Sequence, residues 1–143
     1  MKALLVSGLI AMSATAVLAE GQTHKVAIHV DQNDPQVMNM ALNNVANVTQ
    51  YYEDQGDTVI VELVAYGPGL NMFVADKSPV ADRIEQMSLG MDNLSFAACG
   101  NTLNAMQKKA GHDIALMSEV AVVPSGVVQL IALQEDGYAY IRP

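Results

Sequence analysis

The sequence predicts an α/β domain of three layers, with a central, mainly parallel five-stranded sheet and helices on both faces. Three observations carry this. Strand-like and helix-like patterns alternate to the end of the chain, the order that produces a parallel sheet with helical crossovers. The strand segments are apolar and β-branched without a polar alternation, as strands buried on both faces are. Pro and Gly fall singly at element boundaries, with no repeat and no low-complexity linker to divide the chain.

The elements follow in order. "HKVAIHV", His24 to Val30, reads as the first strand, bounded by "DQNDP". Asp34 as N-cap and Pro35 at the first helical position then start a helix. Met38, Leu42, Val45, Val48 and Tyr52 recur on one face of it, and Gly56 stops it. "TVIVELVAY", Thr58 to Tyr66, is the second strand, closed by a turn at Gly67 to Gly69. Ser78-Pro79 opens a shorter helix that turns Val80, Ile84 and Met87 inward. "NLSFAAC" is the third strand, and Asn101 to Ala110 a helix with Leu103 and Met106 inside, ended by Gly111. "ALMSEVAVV" supplies a fourth extended segment. Pro124-Ser125-Gly126 leads into a helix from Val127 to Gln134 that is apolar nearly all round, and "YAYI" is the last strand. So apolar a helix is buried either against another subunit or beneath the "GLNMFV" loop.

The N-terminus is a separate matter. "MKALLVSGLIAMSATAVLAE" has a basic residue at Lys2, an apolar run and small residues ending at Ala19, the pattern of a cleaved signal peptide. Its apolar run is shorter than the roughly 20 residues of a membrane span, and nothing later is long and apolar enough for one. The expectation is a signal peptide over residues 1–19, a single domain over residues 20–143, and a periplasmic location. Removing Lys2 leaves six basic residues against fifteen acidic ones, a formal charge of −9. That surface disfavours nucleic acid and anionic lipid, which need basic patches.

An exported chain can form disulfides, yet Cys99 has no partner within the sequence. Such a residue is either an inert core cysteine or a thiol that reacts. Its position is compatible with both, since the strand before it is buried and the edge it ends on is where such folds keep their sites. In open α/β sheets ligands gather at the carboxyl ends of the strands, where "DQNDP", "YGPGLNMF" and "CGNT" should meet. A helix N-terminus follows Cys99 at once, and its free N–H groups stabilise a thiolate. Gly100 allows close backbone approach, and Asn101 or Thr102 can cap the helix.

The motifs "HVDQND", "NNVANV", "VELVAYGPGLNMF", "FAACGNTL" and "VPSGVVQLIALQEDGYAYIRP", in this order, resemble the DsrE/DsrF-like family, and most closely its small exported bacterial branch. The resemblance covers essentially the whole of residues 20–143. It implies a flavodoxin-like fold, assembly into homotrimers or homohexamers, and transfer of persulfide sulfur on a cysteine, with a sulfur donor or acceptor protein as partner. Carried over, Cys99 would hold that sulfur. The sulfur relays of the family work in the cytoplasm, whereas this chain reads as exported.

Around Cys99, the candidate substrate-binding residues are His29, Tyr66, Gly67, Gly69, Asn71, Gly100, Asn101 and Thr102. His29 ends the first strand near Asp31 and Asp34, where it can tune the thiol or be a core histidine satisfied by a carbonyl. The "YGPGL" loop lacks the spacing of a phosphate loop and reads as a tight turn that brings N–H groups to the site. His24 and His112 lie elsewhere, so no metal site of recognisable spacing is expected, and no cofactor. Asn44 and Asn47 carry no assigned chemistry, and Arg142 is expected to pair with an acidic residue. The second reading is a non-catalytic oligomeric binding module in which Cys99 is merely packed.

Overall fold

A computed structural model describes residues 21–143, so the expected signal peptide lies outside the described residues. The order is β1 (Thr23–Val30), α1 (Pro35–Glu53), β2 (Thr58–Ala65), a 3₁₀ helix (Gly67–Phe73), α2 (Ala81–Gly90), β3 (Leu94–Cys99), α3 (Gly100–Ala110), β4 (Val120–Val123), α4 (Gly126–Glu135) and β5 (Ala139–Ile141). The five strands form one sheet in the order β4-β3-β2-β1-β5. All four neighbouring pairs are parallel, as the flavodoxin-like arrangement requires.

The two faces are covered unequally. On one, Val26, Ile28, Val30, Val61, Leu63 and Phe96 pack against α1, α2 and the 3₁₀ helix through Met38, Leu42, Ile84 and Phe73. Leu103 and Met106 of α3 close the same core. The other face holds the smaller cluster of Ala27, Val64 and Ala97 beneath Leu130 and Leu133 of α4. Alternation along each strand divides the residues between these cores.

Local chemistry accounts for the helix ends. Asp34 accepts from the Gln36 N–H at 2.8 Å, with Pro35 at the first helical position, so α1 begins where its capping signal stands. Gly111 ends α3 in the left-handed region at φ 75°, where glycine carries no steric cost. Ser125 caps α4 by accepting from the Val128 N–H at 3.4 Å.

Three expectations need correction. The stretch after β2 is a 3₁₀ helix rather than a bare turn, because Leu70, Met72 and Phe73 are drawn into the larger core. Only Val120–Val123 of the fourth extended segment joins the sheet. Leu116 pairs instead with Val74, and Met117 donates its N–H to the Phe73 carbonyl, so the front half of that segment tethers the 3₁₀ helix. Helix α2 starts at Ala81, since Ser78 closes a turn on the Val80 N–H before the helix begins. The "GLNMFV" loop belongs to the core opposite α4. It therefore leaves the outer side of α4 uncovered, and Val127, Val128 and Ile131 stand exposed there.

Candidate functional site

Because β1, β2 and β3 run parallel, their carboxyl ends share one edge. The register sets His29 against Val64, and Ala65 against Ala98. Ala27, Val64 and Ala97 face α4, with Tyr66 and Val123 packed beside them. Period-two alternation places His29, Tyr66 and Cys99 on that same face. Three of the candidate residues therefore stand in a row beneath the start of α4.

Cys99 is the last residue of β3, the N-cap of α3, and 4% exposed. Burial pushes its thiol up. The N–H of Gly126, the Thr102 hydroxyl and the N–H groups of Thr102 and Asn101 outweigh that and hold it below the usual thiol range. The neutral side chain closes no capping hydrogen bond with its own helix. The arrangement meets the requirement for a nucleophilic cysteine, a thiolate favoured by fixed local dipoles.

Two helix N-termini supply those donors, α3 with its own first N–H groups and α4 with that of Gly126. Their approach depends on glycines. A Cβ at Gly100 would lie 3.0 Å from the Val123 carbonyl oxygen. A Cβ at Gly126 would lie 3.1 Å from the Cβ atoms of both Cys99 and Tyr66. The Asn101 N–H donates to the Pro124 carbonyl at 3.2 Å, pinning the strap before α4 onto the start of α3. Sequence reading did not select Gly126. The Ser125-Gly126 pair, an N-cap followed by the smallest residue, was the signal available.

The loop after β2 serves the site through Thr102. The Gly67 N–H donates to the Thr102 hydroxyl at 2.9 Å, and the Gly69 N–H to the Tyr66 carbonyl at 3.2 Å. The N–H groups expected to reach a ligand are thus spent on the protein itself. A Cβ at Gly69 would collide with the Val30 carbonyl and the Asp31 nitrogen, so this loop sits directly on the end of β1. Asn71 spends its amide on the Pro68 carbonyl at 3.0 Å. Asn101 is exposed, and it lines with Gly67, Asn71 and Thr102 an open groove of about 780 Å³ between the 3₁₀ helix and α3.

His29 is 3% exposed, and its Nδ1 lies 2.7 Å from the Tyr140 hydroxyl. Its ring centroid is 4.3 Å from that of Tyr66, whose side chain in turn packs at Gly126. Burial lowers the histidine pKa, Asp31 opposes that, and Arg142 adds to it. The ring is therefore neutral at neutral pH, and its Nε2 is buried without a partner. Tyr66 links the histidine to the cysteine's surroundings, and His29 is not among the groups that shift Cys99. Arg142 pairs with Asp31 at 2.9 Å, as expected of a cation in an acidic chain.

The other polar candidates lie apart. His24 pairs with Asp57 at 3.0 Å, and Asn44 and Asn47 line a separate groove between α1 and β5. Among the described residues no three His, Cys, Asp or Glu side chains converge as metal ligands would. Among them, too, no helix is long and apolar enough to cross a membrane.

The family model described as the DsrE/DsrF-like family matches residues 24–143. Among solved structures, a protein of unknown function, MTH1491 from Methanobacterium thermoautotrophicum, is similar in sequence and shape. It is 33% identical, with a TM-score of 0.72, over 84% of this chain and 99% of that one. No curated protein matches the chain.

Proposed function

The chain belongs to the DsrE/DsrF-like family, and from that premise we propose that Cys99 accepts and carries sulfane sulfur as a persulfide. The observation that supports this most directly is the set of donors around its sulfur. Gly126, Thr102 and Asn101 favour the thiolate strongly enough to outweigh burial.

The step is a sulfur exchange. The Cys99 thiolate attacks the terminal sulfur of a donor persulfide, R–S–SH. A bond forms between Cys99 Sγ and that sulfur, the donor's S–S bond breaks, and the donor leaves as R–S⁻. The transferred sulfur keeps its proton, and no external oxidant or reductant takes part. When an acceptor thiolate then attacks the outer sulfur, the S–S bond to Cys99 breaks and the same donors stabilise Cys99 Sγ as the leaving thiolate.

Two further features belong to this reading. The chain is exported to the periplasm and starts, after cleavage, at Glu20; the pattern of residues 1–19 supports this. It assembles with its own copies into a trimer or a hexamer, supported by the apolar residues Val127, Val128 and Ile131 on the outer side of α4.

Mass spectrometry of the native protein after incubation with a persulfide donor tests the function. The expected product is heavier by about 32 Da, one sulfur atom, is reversed by dithiothreitol, and is absent from Cys99→Ser. A thiol that takes no label and no sulfur until denaturant is added would instead support the binding-module reading.

A further inference from the structure

We infer that β5 is a proton-operated latch: it stays on the edge of β1 while His29 is neutral and peels away, from Ala139 to the C-terminus, when His29 takes up a proton.

The strand is lightly anchored. It has three residues, Ala139, Tyr140 and Ile141, all exposed, and it lies at an edge of the sheet beside β1. None of the three belongs to either core cluster, so both cores keep their members when it leaves. Tyr138 stays behind. Its N–H donates to the Leu133 carbonyl at 2.9 Å, and its side chain packs on the smaller cluster. Segments with so few buried contacts open at the low end of a protein's range of local stabilities.

Two side-chain contacts hold the segment to the end of β1. The Arg142 guanidinium pairs with Asp31 at 2.9 Å, and the Tyr140 hydroxyl lies 2.7 Å from Nδ1 of His29. The second contact is also the seal. His29 is 3% exposed, with the ring centroid of Tyr66 at 4.3 Å and that of Tyr140 at 5.8 Å.

That enclosure suits a neutral ring only. Tyr140 serves one nitrogen, and Nε2 already stands buried with no partner among the described residues. An imidazolium carries two N–H groups. The one on Nε2 would be a charged donor without an acceptor, among the costliest groups to bury. The charges nearby give no relief. Asp31, two residues further along β1, is taken by Arg142, whose own charge repels an imidazolium. Tyr66 and Tyr140 bring hydroxyls, and Cys99 lies beyond Tyr66, against Gly126. Lower on the same face, Glu62 is bonded to Gln129 at 2.7 Å and Lys25 to Asp136 at 2.9 Å. Helix α4 has no charged residue before Glu135, at its far end.

A proton therefore enters only with opening, and release of Tyr140 is the smallest opening that uncovers His29. Once uncovered, the imidazolium is hydrated and both its N–H groups are satisfied. The other histidines are engaged elsewhere: His24 pairs with Asp57, and His112 donates to the Asp113 carbonyl. Linkage sets the size of the effect. With a histidine pKa of about 6.5 in the open form and no uptake in the closed one, the open population rises about tenfold from pH 7.5 to 5.5.

Hydrogen exchange followed by NMR on the mature full chain tests the latch. Amides of the β1–β5 ladder should lose about tenfold in protection between pH 7.5 and 5.5, relative to their intrinsic rates. Dilute urea should not affect this exchange, because a local opening exposes little surface. Amides of the β2–β3 ladder should be far better protected at both pH values and should respond to urea. His29→Gln should remove the pH effect from the β1–β5 ladder, and His24→Gln should leave it in place. Tyr140→Phe should speed exchange in that ladder at both pH values while keeping the pH effect. A β1–β5 ladder as protected and as urea-sensitive as β2–β3 would overturn the latch, since the chain would then open only as a whole. An undiminished pH effect in His29→Gln, or a wild-type ladder indifferent to pH, would overturn it equally.

Discussion

Gly126, the first residue of α4, packs directly on Cys99: a Cβ at position 126 would stand 3.1 Å from the Cβ of the cysteine. Two helices therefore begin at one sulfur atom, α3 directly after it and α4 by way of β4 and the Pro124 strap. Each brings the positive end of its helix dipole to the cysteine, although the Asn101 N–H of α3 is bonded to the Pro124 carbonyl. Burial alone would hold the thiol neutral, so its lowered pKa depends on how α4 is seated.

Gly126→Ala tests that dependence. The added methyl meets Cβ of Cys99 and of Tyr66 at 3.1 Å, and Cδ1 of Tyr66 at 3.2 Å, so the start of α4 must shift. The thiolate then loses a donor while the burial penalty remains. The pH midpoint of iodoacetamide labelling is expected to rise, with a stability loss of about 1–3 kcal/mol from overpacking. An unmoved midpoint would mean that α4 contributes nothing to the thiolate.

Thr102 joins the loop after β2 to the cysteine. In Thr102→Val the Gly67 N–H loses its acceptor and the sulfur loses a hydroxyl. The unsatisfied N–H should cost about 1–3 kcal/mol in urea unfolding, and labelling at neutral pH should slow. Thr102→Ser, which keeps the hydroxyl, should recover most of both. Equal loss in the two variants would assign the effect to the methyl group's packing.

Much of this was legible in the sequence, for physical reasons that also mark where reading stops. Asp34-Pro35 and Gly111 announced their helix ends because capping is local. Cys99 could be placed at the carboxyl edge because the strand–helix alternation fixes the direction of β3. Gly126 and Tyr140 could not be placed, since each reaches the site through strand order: α4 crosses back over β3, and β5 inserts beside β1. The composition of α4 showed that it was apolar all round, and only the packing shows which side meets the sheet.

The two sides of helix α4 allow folding and the proposed assembly to be tested separately. Leu130 is buried in the smaller core, so Leu130→Glu buries an unpaired charge and should unfold the domain at a cost of several kcal/mol (roughly). Val128 and Ile131 are 62% and 49% exposed. Val128→Glu and Ile131→Glu should therefore keep the native circular dichroism spectrum and convert the expected oligomer to monomer in light scattering. A wild-type monomer at micromolar concentration would remove the assembly proposal.

His29 provides the pH test. Its folded pKa is lowered by burial, with Arg142 adding to the effect and Asp31 opposing it. Above about pH 7.5 both the folded and the unfolded imidazole are neutral, and the contribution to stability is complete. As the pH falls from there towards the folded pKa, the unfolded chain takes up a proton that the folded one refuses, and stability drops. Urea unfolding of wild type should weaken between about pH 7.5 and 5.5 by more than that of His29→Gln, which cannot protonate. The His24–Asp57 pair is present in both proteins and cancels in the comparison. Tyr140→Phe should cost about 1 kcal/mol at pH 7.5 through the lost hydrogen bond to Nδ1. Because Tyr66 lies against the imidazole and packs at Gly126, His29→Gln should leave the labelling rate of Cys99 unchanged. A large fall in that rate would show instead that the imidazole reaches the sulfur, and that the orphaned Nε2 serves the thiol.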